Sequence, residues 1–266
     1  MKGTFVSSLV NSASYLRRKR ANSRFFATHN EPFYGSPRPP RQQYTPSRLS
    51  LAWQYAWTAF QDPTRADAVA AVGELTGTFA LDRLVQVMRQ EASLLLKERP
   101  IVSKETLPYE KLLKDAVDPT TEEVTFGQAY GYFLKQHGFD PDERDPIRYL
   151  EPDSDAAYVM LRYRQCHDFF HTLTGLPPTV PGELGLKWLE LFQTELPLAA
   201  VACTVGSLRL NPEELQLVWQ QYLPWAIRVR QNMKFGQLLC VYYEKEWDTP
   251  LEELRQRLGV DPAPRM

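Results

Sequence analysis

The sequence predicts an all-α fold, in which a single orthogonal helical domain follows an extended, proline-rich N-terminal arm. From Leu49 onward, apolar residues recur at helical spacing almost throughout the chain. Helix-start signals recur as well. Asn211-Pro212-Glu213-Glu214 and Thr249-Pro250-Leu251-Glu252 each combine a cap, a proline at the first helical position and a glutamate at the third. No alternation of apolar and polar residues is long enough for a sheet, and no segment repeats. With 266 residues and 43% hydrophobic content, the chain can bury one large core.

The individual helices follow from their start and stop signals. We expect a first helix from Leu49 to Phe60, a second from Asp62-Pro63 to about Gly77, a third over 79–97, a fourth from Thr125 to Leu134, a long one over 152–174, and further helices beginning near Pro181, Asn211 and Thr249, with the last closing at Gly259. The span 98–122 is mixed and mostly irregular. Pro197 and Pro224 fall inside predicted helices and should kink or split them.

The N-terminal segment has a different composition from the rest of the chain. Residues 1–30 contain six basic residues, five serines and no acidic residue. This composition is typical of a mitochondrial transit peptide, which we place at 1–26 because Arg24-Phe25-Phe26 resembles the cleavage context of the matrix protease. The alternative is a disordered basic tail. Residues 27–48 contain five prolines and are predicted to be an extended arm, and 49–262 to be the helical domain.

Charge and cysteine content exclude several classes of protein. The net charge of −1 does not indicate a nucleic-acid partner. Three widely spaced cysteines fit a reducing compartment without a disulfide framework, and Cys166 is interpreted as a small buried hydrophobe. The apolar run 196–206 is too short to span a membrane, which takes ~20 residues. It is predicted to be core or one wall of a lipid-holding channel.

The strongest chemical signal is His167-Asp168-Phe169-Phe170-His171, followed by Glu183. At roughly 100° per residue, the two imidazoles and the Asp168 carboxylate share an arc of about 100° on the long predicted helix. Gly175 and two prolines should end that helix, so that Glu183, in the first turn of the next, can face the histidines. Two imidazoles with carboxylates suit Zn²⁺, Fe²⁺ or Mn²⁺. Glu190 lies ~10 Å further along the same helix face and is expected to be too far away to share the ion.

Each of these residues also has a simpler interpretation. The histidines could be core residues with satisfied hydrogen bonds. Glu183 could complement a helix dipole, and Asp168 could fix the tautomer of a neighbouring histidine. The distribution of histidine favours a site, because two of the four histidines in the chain fall in one helical turn.

The pattern His-Asp-x-x-His, eleven residues and Glu resembles the signature of a ubiquinone biosynthesis family, the fourth protein of the coenzyme Q series. The resemblance covers roughly 50–260. Further matching segments are Asp67-Ala68-Val69-Ala70-Ala71-Val72-Gly73-Glu74 with Thr76-Gly77, Arg162-Tyr163-Arg164, Lys187-Trp188, Pro224-Trp225-Ala226, Tyr242-Tyr243-Glu244 and Trp247.

The resemblance implies a function in ubiquinone assembly. The reaction implied is metal-dependent oxidative decarboxylation, in which the C1 carboxylate of a polyprenylated hydroxybenzoate is replaced by a hydroxyl. The expected ligands are His167, Asp168, His171 and Glu183, holding Zn²⁺ in the first instance, or Fe²⁺ or Mn²⁺. Because four protein ligands would close a tetrahedral site, Asp168 or Glu183 is expected to be labile. Arg164 is a candidate for holding an anionic substrate group; otherwise it is a solvated surface arginine.

The resemblance also implies partners and a location. We expect the polyprenylated benzoate as substrate, the other enzymes of the coenzyme Q biosynthesis complex as partners, and peripheral contact with the matrix side of the mitochondrial inner membrane. A homodimer is an open alternative, and no nucleic acid is expected.

Two other functions fit the same residues. One is a non-catalytic, lipid-binding scaffold that organises the other enzymes and carries a structural metal. The other is a phosphohydrolase of the histidine-aspartate type, for which His137 would have to supply the additional upstream ligand.

Overall fold

The fold is described from a computed structural model, which covers residues 47–61, 65–144, 146–233 and 238–265. The predicted transit peptide 1–26, nearly all of the predicted arm 27–48 and the predicted helix start at Asp62-Pro63 lie outside these residues. Every regular element of the described chain is helical, apart from one isolated antiparallel bridge between Thr125 and Pro250. The all-α prediction is confirmed.

The helices of the described chain are named here in order. They are α1 (Arg48–Gln61), α2 (Ala66–Thr76), α3 (Thr78–Glu91), α4 (Ser93–Glu98), α5 (Tyr109–Lys114), α6 (Phe126–His137), α7 (Asp155–Thr174), α8 (Val180–Thr194), α9 (Pro197–Ser207), α10 (Pro212–Leu217), α11 (Leu223–Asn232) and α12 (Leu251–Leu258). Short 3₁₀ turns occupy Pro141–Glu143, Leu238–Cys240 and Tyr243–Lys245.

Helix α7 is the central element because it passes through both clusters of buried side chains. Its N-terminal half, around Tyr158 and Leu161, packs against α3 and α4. Its C-terminal half, around Phe169 and Leu173, packs against α6, α8, α11 and α12. A helix that is apolar on most sides must be enclosed by other elements. The polar groups that α7 carries are therefore held in a mostly buried environment.

The third predicted helix, 79–97, is interrupted in the structure. Ala92 adopts an extended φ of −144°, which ends α3 at Glu91 and starts α4 at Ser93. The break changes the direction of the chain, and Leu95 is buried in the cluster around the N-terminal half of α7. Nothing in the local sequence signals it, since alanine is a good helix former.

Two interior prolines act as predicted. Pro197 splits a helix: α8 ends at Thr194, and Pro197 takes the first turn of α9, where its missing N–H is not needed. Before Pro224, the chain forms a π-helical turn at Val218–Tyr222, and α11 starts at Leu223. A π turn is one of the ways in which a helix absorbs an interruption of its hydrogen-bond ladder.

Two of the predicted caps are confirmed and one is wrong. Thr125 and Asn211 both form reciprocal capping boxes with the residue three positions on. Thr249 does not cap α12, because its hydroxyl donates to Glu246 and its carbonyl accepts from the N–H of Phe126. Backbone pairing with the start of α6 thus delays the last helix, which begins at Leu251.

The apolar run 196–206 forms most of α9. Leu198, Ala199 and Cys203 are buried, whereas Val201 on the opposite side is exposed. The run is therefore an amphipathic surface helix, packed through one side on α2 and α8. None of the described helices combines the length and the apolarity required to span a bilayer.

Candidate metal centre

The two helices that carry the site are joined by a tight corner. Gly175 ends α7 in the left-handed conformation, with φ 71°, which glycine adopts at little cost. Thr179 caps α8 by accepting from the N–H of Gly182. A Cβ atom on Gly182 would lie 2.1 Å from the carbonyl oxygen of Pro177, so only glycine fits this close approach. The corner places Glu183, in the first turn of α8, against α7.

Three of the four predicted ligands converge. Glu183 Oε2 lies 3.1 Å from Nε2 of His167, and Glu183 Oε1 lies 3.2 Å from Nε2 of His171. The two Nε2 atoms are 3.2 Å apart. One candidate ligand atom from each of the three residues lies within 4.8 Å of the other two. His171 is 1% exposed and Glu183 38% exposed, so the group opens to solvent on the carboxylate side.

The other nitrogen of each imidazole determines what the Nε2 atoms can do. Nδ1 of His171 lies 2.8 Å from the carbonyl oxygen of Leu176, which can only accept, so this Nδ1 must carry the proton. Nδ1 of His167 lies 2.7 Å from Oε1 of Glu190, so an ionised Glu190 makes this nitrogen a donor too. If both rings are neutral, each Nε2 atom consequently carries a lone pair and no proton. These two atoms face each other and the Glu183 carboxylate. In this protonation state three acceptors point at one another, an arrangement that a cation between them would stabilise.

The charges of the group act strongly on one another. Burial and Lys187 oppose protonation of His167, but Glu190 and Glu183 outweigh them and raise its pKa. Burial also opposes ionisation of Glu183, yet His171 and His167 hold its pKa well below its usual range. Two neutral imidazoles with one carboxylate are a donor set that fits a divalent ion such as Zn²⁺, Fe²⁺ or Mn²⁺.

Asp168, the fourth predicted ligand, is not brought into this group. Its carboxylate forms an ion pair with Arg144, which follows the 3₁₀ turn Pro141–Glu143, and its side chain is 5% exposed. The helical arc predicted from the sequence is present. However, Asp168 lies at the edge of that arc, and its carboxylate pairs with Arg144 instead of joining the histidines.

Arg164, the predicted substrate-anion contact, is also engaged elsewhere. It donates to Oε1 of Glu74 at 2.6 Å and to the carbonyl oxygen of Ala70 at 3.0 Å. Its side chain is 11% exposed, so the alternative of a solvated surface arginine does not describe it either. Arg164 ties α7 to α2 through a buried ion pair.

Two further predictions can be compared with the structure. Cys166 is fully buried, and burial raises the pKa of its thiol to about 12, in agreement with its interpretation as an inert core residue. His137 packs its ring on Phe133 and Phe139. Among the described residues it does not join the group that could hold a metal.

Sequence reasoning placed Glu190 on the same face as Glu183 but outside the site. The structure agrees that Glu190 does not contact the Nε2 atoms, yet it pairs with the far side of His167. The sequence signal for this contact is the spacing of seven residues, about two turns, which puts Glu190 on the same helix face as Glu183. The Arg144–Asp168 pair had no comparable local signal, because its partners come from separate elements.

Comparison with known proteins gives a consistent result. A protein-family model described as "Coenzyme Q (ubiquinone) biosynthesis protein Coq4" matches residues 41–264. The mitochondrial ubiquinone biosynthesis protein COQ4 homolog of Bos taurus is 39% identical over 219 residues, which are 82% of this chain and 79% of that protein. The mitochondrial ubiquinone biosynthesis protein coq4 of Aspergillus terreus is 36% identical over 255 residues, covering 92% and 85%.

A solved structure shares the fold. The crystal structure of a candidate ubiquinone biosynthesis protein from Nostoc punctiforme superposes with a TM-score of 0.60 at 22% identity, covering 80% of this chain and 96% of that one.

Proposed function

Since the chain belongs to the Coenzyme Q (ubiquinone) biosynthesis protein Coq4 family, we propose that it acts in ubiquinone biosynthesis as a metal-dependent decarboxylase. Its substrate is a polyprenylated hydroxybenzoate, and its product carries a hydroxyl where the C1 carboxylate was. The observation that carries the chemical part is the convergence of three acceptors, on His167, His171 and Glu183, with both Nδ1 protons already committed.

The reaction sets conditions that the protein must meet. The bond from the ring to the carboxylate breaks, a bond from the ring to oxygen forms, and the substrate is oxidised by two electrons overall. A peroxide, or O₂ together with a two-electron donor, must therefore supply the oxygen atom. A divalent ion would supply Lewis acidity toward the substrate carboxylate or phenolate. Three protein ligands, unlike four, leave a coordination position for the substrate.

The protein's own groups then have distinct roles. His167, His171 and Glu183 would hold the ion, and Glu183, at 38% exposed, is the most open of the three to an incoming substrate. Of the two carboxylates expected to be labile, Asp168 is the one outside these three ligands, where it pairs with Arg144. Arg144 is the more exposed of the two arginines beside α7, 31% against 11% for Arg164, and an anionic substrate group would have to compete with Asp168 for it.

The alternatives fit the geometry less well. A phosphohydrolase of the histidine-aspartate type needs a further histidine in the metal shell, but the ring of His137 packs on Phe133, and it is Phe133 that stacks on His171. A scaffold that organises the coenzyme Q enzymes, alone or as a homodimer, is compatible with decarboxylation in the same molecule.

An apolar stripe on α1 supports peripheral contact with the matrix side of the inner membrane. Leu49, Trp53 and Trp57 are four residues apart along one face and are 76%, 73% and 54% exposed. The sequence over 32–61 contains three arginines and no acidic residue. Exposed tryptophans beside basic residues are suited to the interface of an anionic bilayer. Replacing both tryptophans with serine should reduce flotation with cardiolipin-containing vesicles, and unchanged flotation would exclude this face.

A turnover experiment separates enzyme from scaffold. A polyprenylated hydroxybenzoate labelled in its carboxylate is incubated with full-length protein, with Glu183→Gln and with Glu195→Gln, and released CO₂ is counted. We expect release by the wild type and by Glu195→Gln, whose carboxylate pairs with Arg83 at the far end of α8. Glu183→Gln should release little CO₂ while still assembling with the other coenzyme Q enzymes. Equal release by all three proteins would contradict the assignment.

A further inference from the structure

Glu190 is a buried carboxylate that bonds the imidazole of His167 with one oxygen and is held in place through the other. Its Oε1 accepts from Nδ1 of His167 at 2.7 Å. Its Oε2 accepts from Nζ of Lys187 at 2.5 Å and from the hydroxyl of Tyr163. The side chain is 2% exposed. Both oxygens are consequently used inside the protein, and their positions are fixed by residues of α7 and α8.

The arrangement also fixes the charge of Glu190. Oε2 lies 2.5 Å from Nζ of Lys187, and this ion pair places the negative charge of the carboxylate beside a cation. An ionised carboxylate accepts and cannot donate, so the proton between Glu190 and His167 belongs to the imidazole. Lys187 and Tyr163 occupy Oε2, which leaves Oε1 for His167.

The two histidines of the group are held by chemically different partners. Nδ1 of His171 bonds a backbone carbonyl, that of Leu176, which supplies a dipole. Nδ1 of His167 bonds a full negative charge. A carboxylate behind an imidazole makes the opposite nitrogen more basic than a carbonyl does, and it orients the ring. His167 is therefore the histidine whose strength as a ligand depends on a side chain that substitution can change.

We propose that Glu190 is a positioning residue for the metal site: it holds Nδ1–H of His167 and so aims the Nε2 lone pair at the group formed with His171 and Glu183. Lys187 and Tyr163 act on the ion through Glu190. The inference rests on the proposed metal site, and it gives a role to Glu190, which was expected only to be too far away to share the ion. Loss of such a partner weakens metal binding by roughly 10–100-fold in known sites.

The test compares two conservative substitutions, one in the C-terminal part of α8 and one at the residue that follows it. Glu190→Gln keeps the size and a neutral acceptor but removes the charge behind His167. Glu195→Gln also removes one carboxylate, but from a side chain that is 59% exposed and pairs with Arg83. Zinc affinity is measured by competition with a chromophoric chelator, on full-length protein whose folding has been checked by circular dichroism. We expect a roughly 10–100-fold loss for Glu190→Gln and wild-type affinity for Glu195→Gln.

A second readout reports on the hydrogen bond itself. In the zinc-loaded protein, the Nδ1 protons of His167 and His171 should both be visible by NMR, because hydrogen bonding slows their exchange. Glu190→Gln should shift or broaden only the His167 proton. Tyr163→Phe removes one donor to Glu190 and preserves the shape of the side chain, so it should give a smaller shift of the same proton. This variant replaces Glu190→Gln in the test if Glu190→Gln does not fold.

The outcomes distinguish this inference from the proposed metal site. If Glu183→Gln loses zinc while Glu190→Gln binds it like Glu195→Gln and leaves the His167 proton unchanged, the role of Glu190 is refuted and the site stands. If Glu183→Gln also keeps wild-type affinity, the site itself is wrong.

Discussion

Removal of the charge of Glu244 should destabilise the protein strongly, because it leaves a buried cation without a partner. Arg162 on α7 is 0% exposed and forms a two-pronged ion pair with Glu244, in which Nη2 lies 2.9 Å from Oε2. Its remaining described acceptor is the carbonyl oxygen of Val241, at 3.1 Å. Breaking a buried pair from one side typically costs ~3–5 kcal/mol. Because glutamine keeps a neutral acceptor and Glu244 is 15% exposed, we expect the lower end, about 3 kcal/mol, for Glu244→Gln.

This loss can be measured by urea unfolding, followed by far-UV circular dichroism. At a typical slope of up to ~3 kcal/mol per M, the midpoint should fall by about 1 M. Asp248→Asn is the control, because Asp248 is 91% exposed and meets Lys111 only at 3.5 Å; exposed pairs are worth ~0–1 kcal/mol. Removing both charges, in Arg162→Met with Glu244→Leu, should restore part of the stability. A Glu244→Gln variant as stable as Asp248→Asn would refute the reasoning.

Three further predictions concern the corner, the start of α7 and the N-terminus. Gly182→Ala should lower both thermal stability and zinc affinity, because its Cβ would lie 2.1 Å from a carbonyl oxygen of the preceding corner; unchanged zinc affinity would show that the corner does not position the site. Hydrogen bonds from Arg89 and Arg99 lower the pKa of Asp155, so the stability it contributes is present above its unfolded pKa and lost as the pH falls through the folded one. The stability difference between wild type and Asp155→Asn should therefore shrink as the pH is lowered past the ordinary aspartate pKa of 3.8, and a difference that persists in strong acid would contradict this. Protein lacking residues 1–26 should fold in vitro but should not be imported into mitochondria, and full-length protein that keeps its N-terminus in cells and stays cytosolic would overturn the transit-peptide prediction.

Local signals were enough to predict most helix ends. Gly175, Pro197 and the capping box at Asn211 act within one turn of chain, so their effect can be read from neighbouring residues. The signal at Thr249 failed because a distant segment, the start of α6, competes for the same backbone groups. The break at Ala92 could not be predicted, because it depends on tertiary packing and the neighbouring residues give no sign of it.

The same distinction applies to the site. The pairing of His167 with His171 follows from helical spacing, and the approach of Glu183 follows from a short corner. The partner of Asp168 could not be predicted, because Arg144 reaches it from a loop about two dozen residues upstream. Nor could the buried pair of Arg164 with Glu74, which joins segments far apart in the chain. Which carboxylate faces an ion and which faces a cationic side chain depends on these long-range contacts.

Metal analysis of anaerobically purified protein tests the central claim most directly. Full-length wild type, His167→Ala and His171→Ala are compared by elemental analysis, with circular dichroism on the same samples. We predict a stoichiometric divalent ion in the wild type and loss of most of it in both variants, with helical content unchanged. Equal metal content in all three proteins, or none in any of them after growth with added zinc, iron and manganese, would contradict the metal centre.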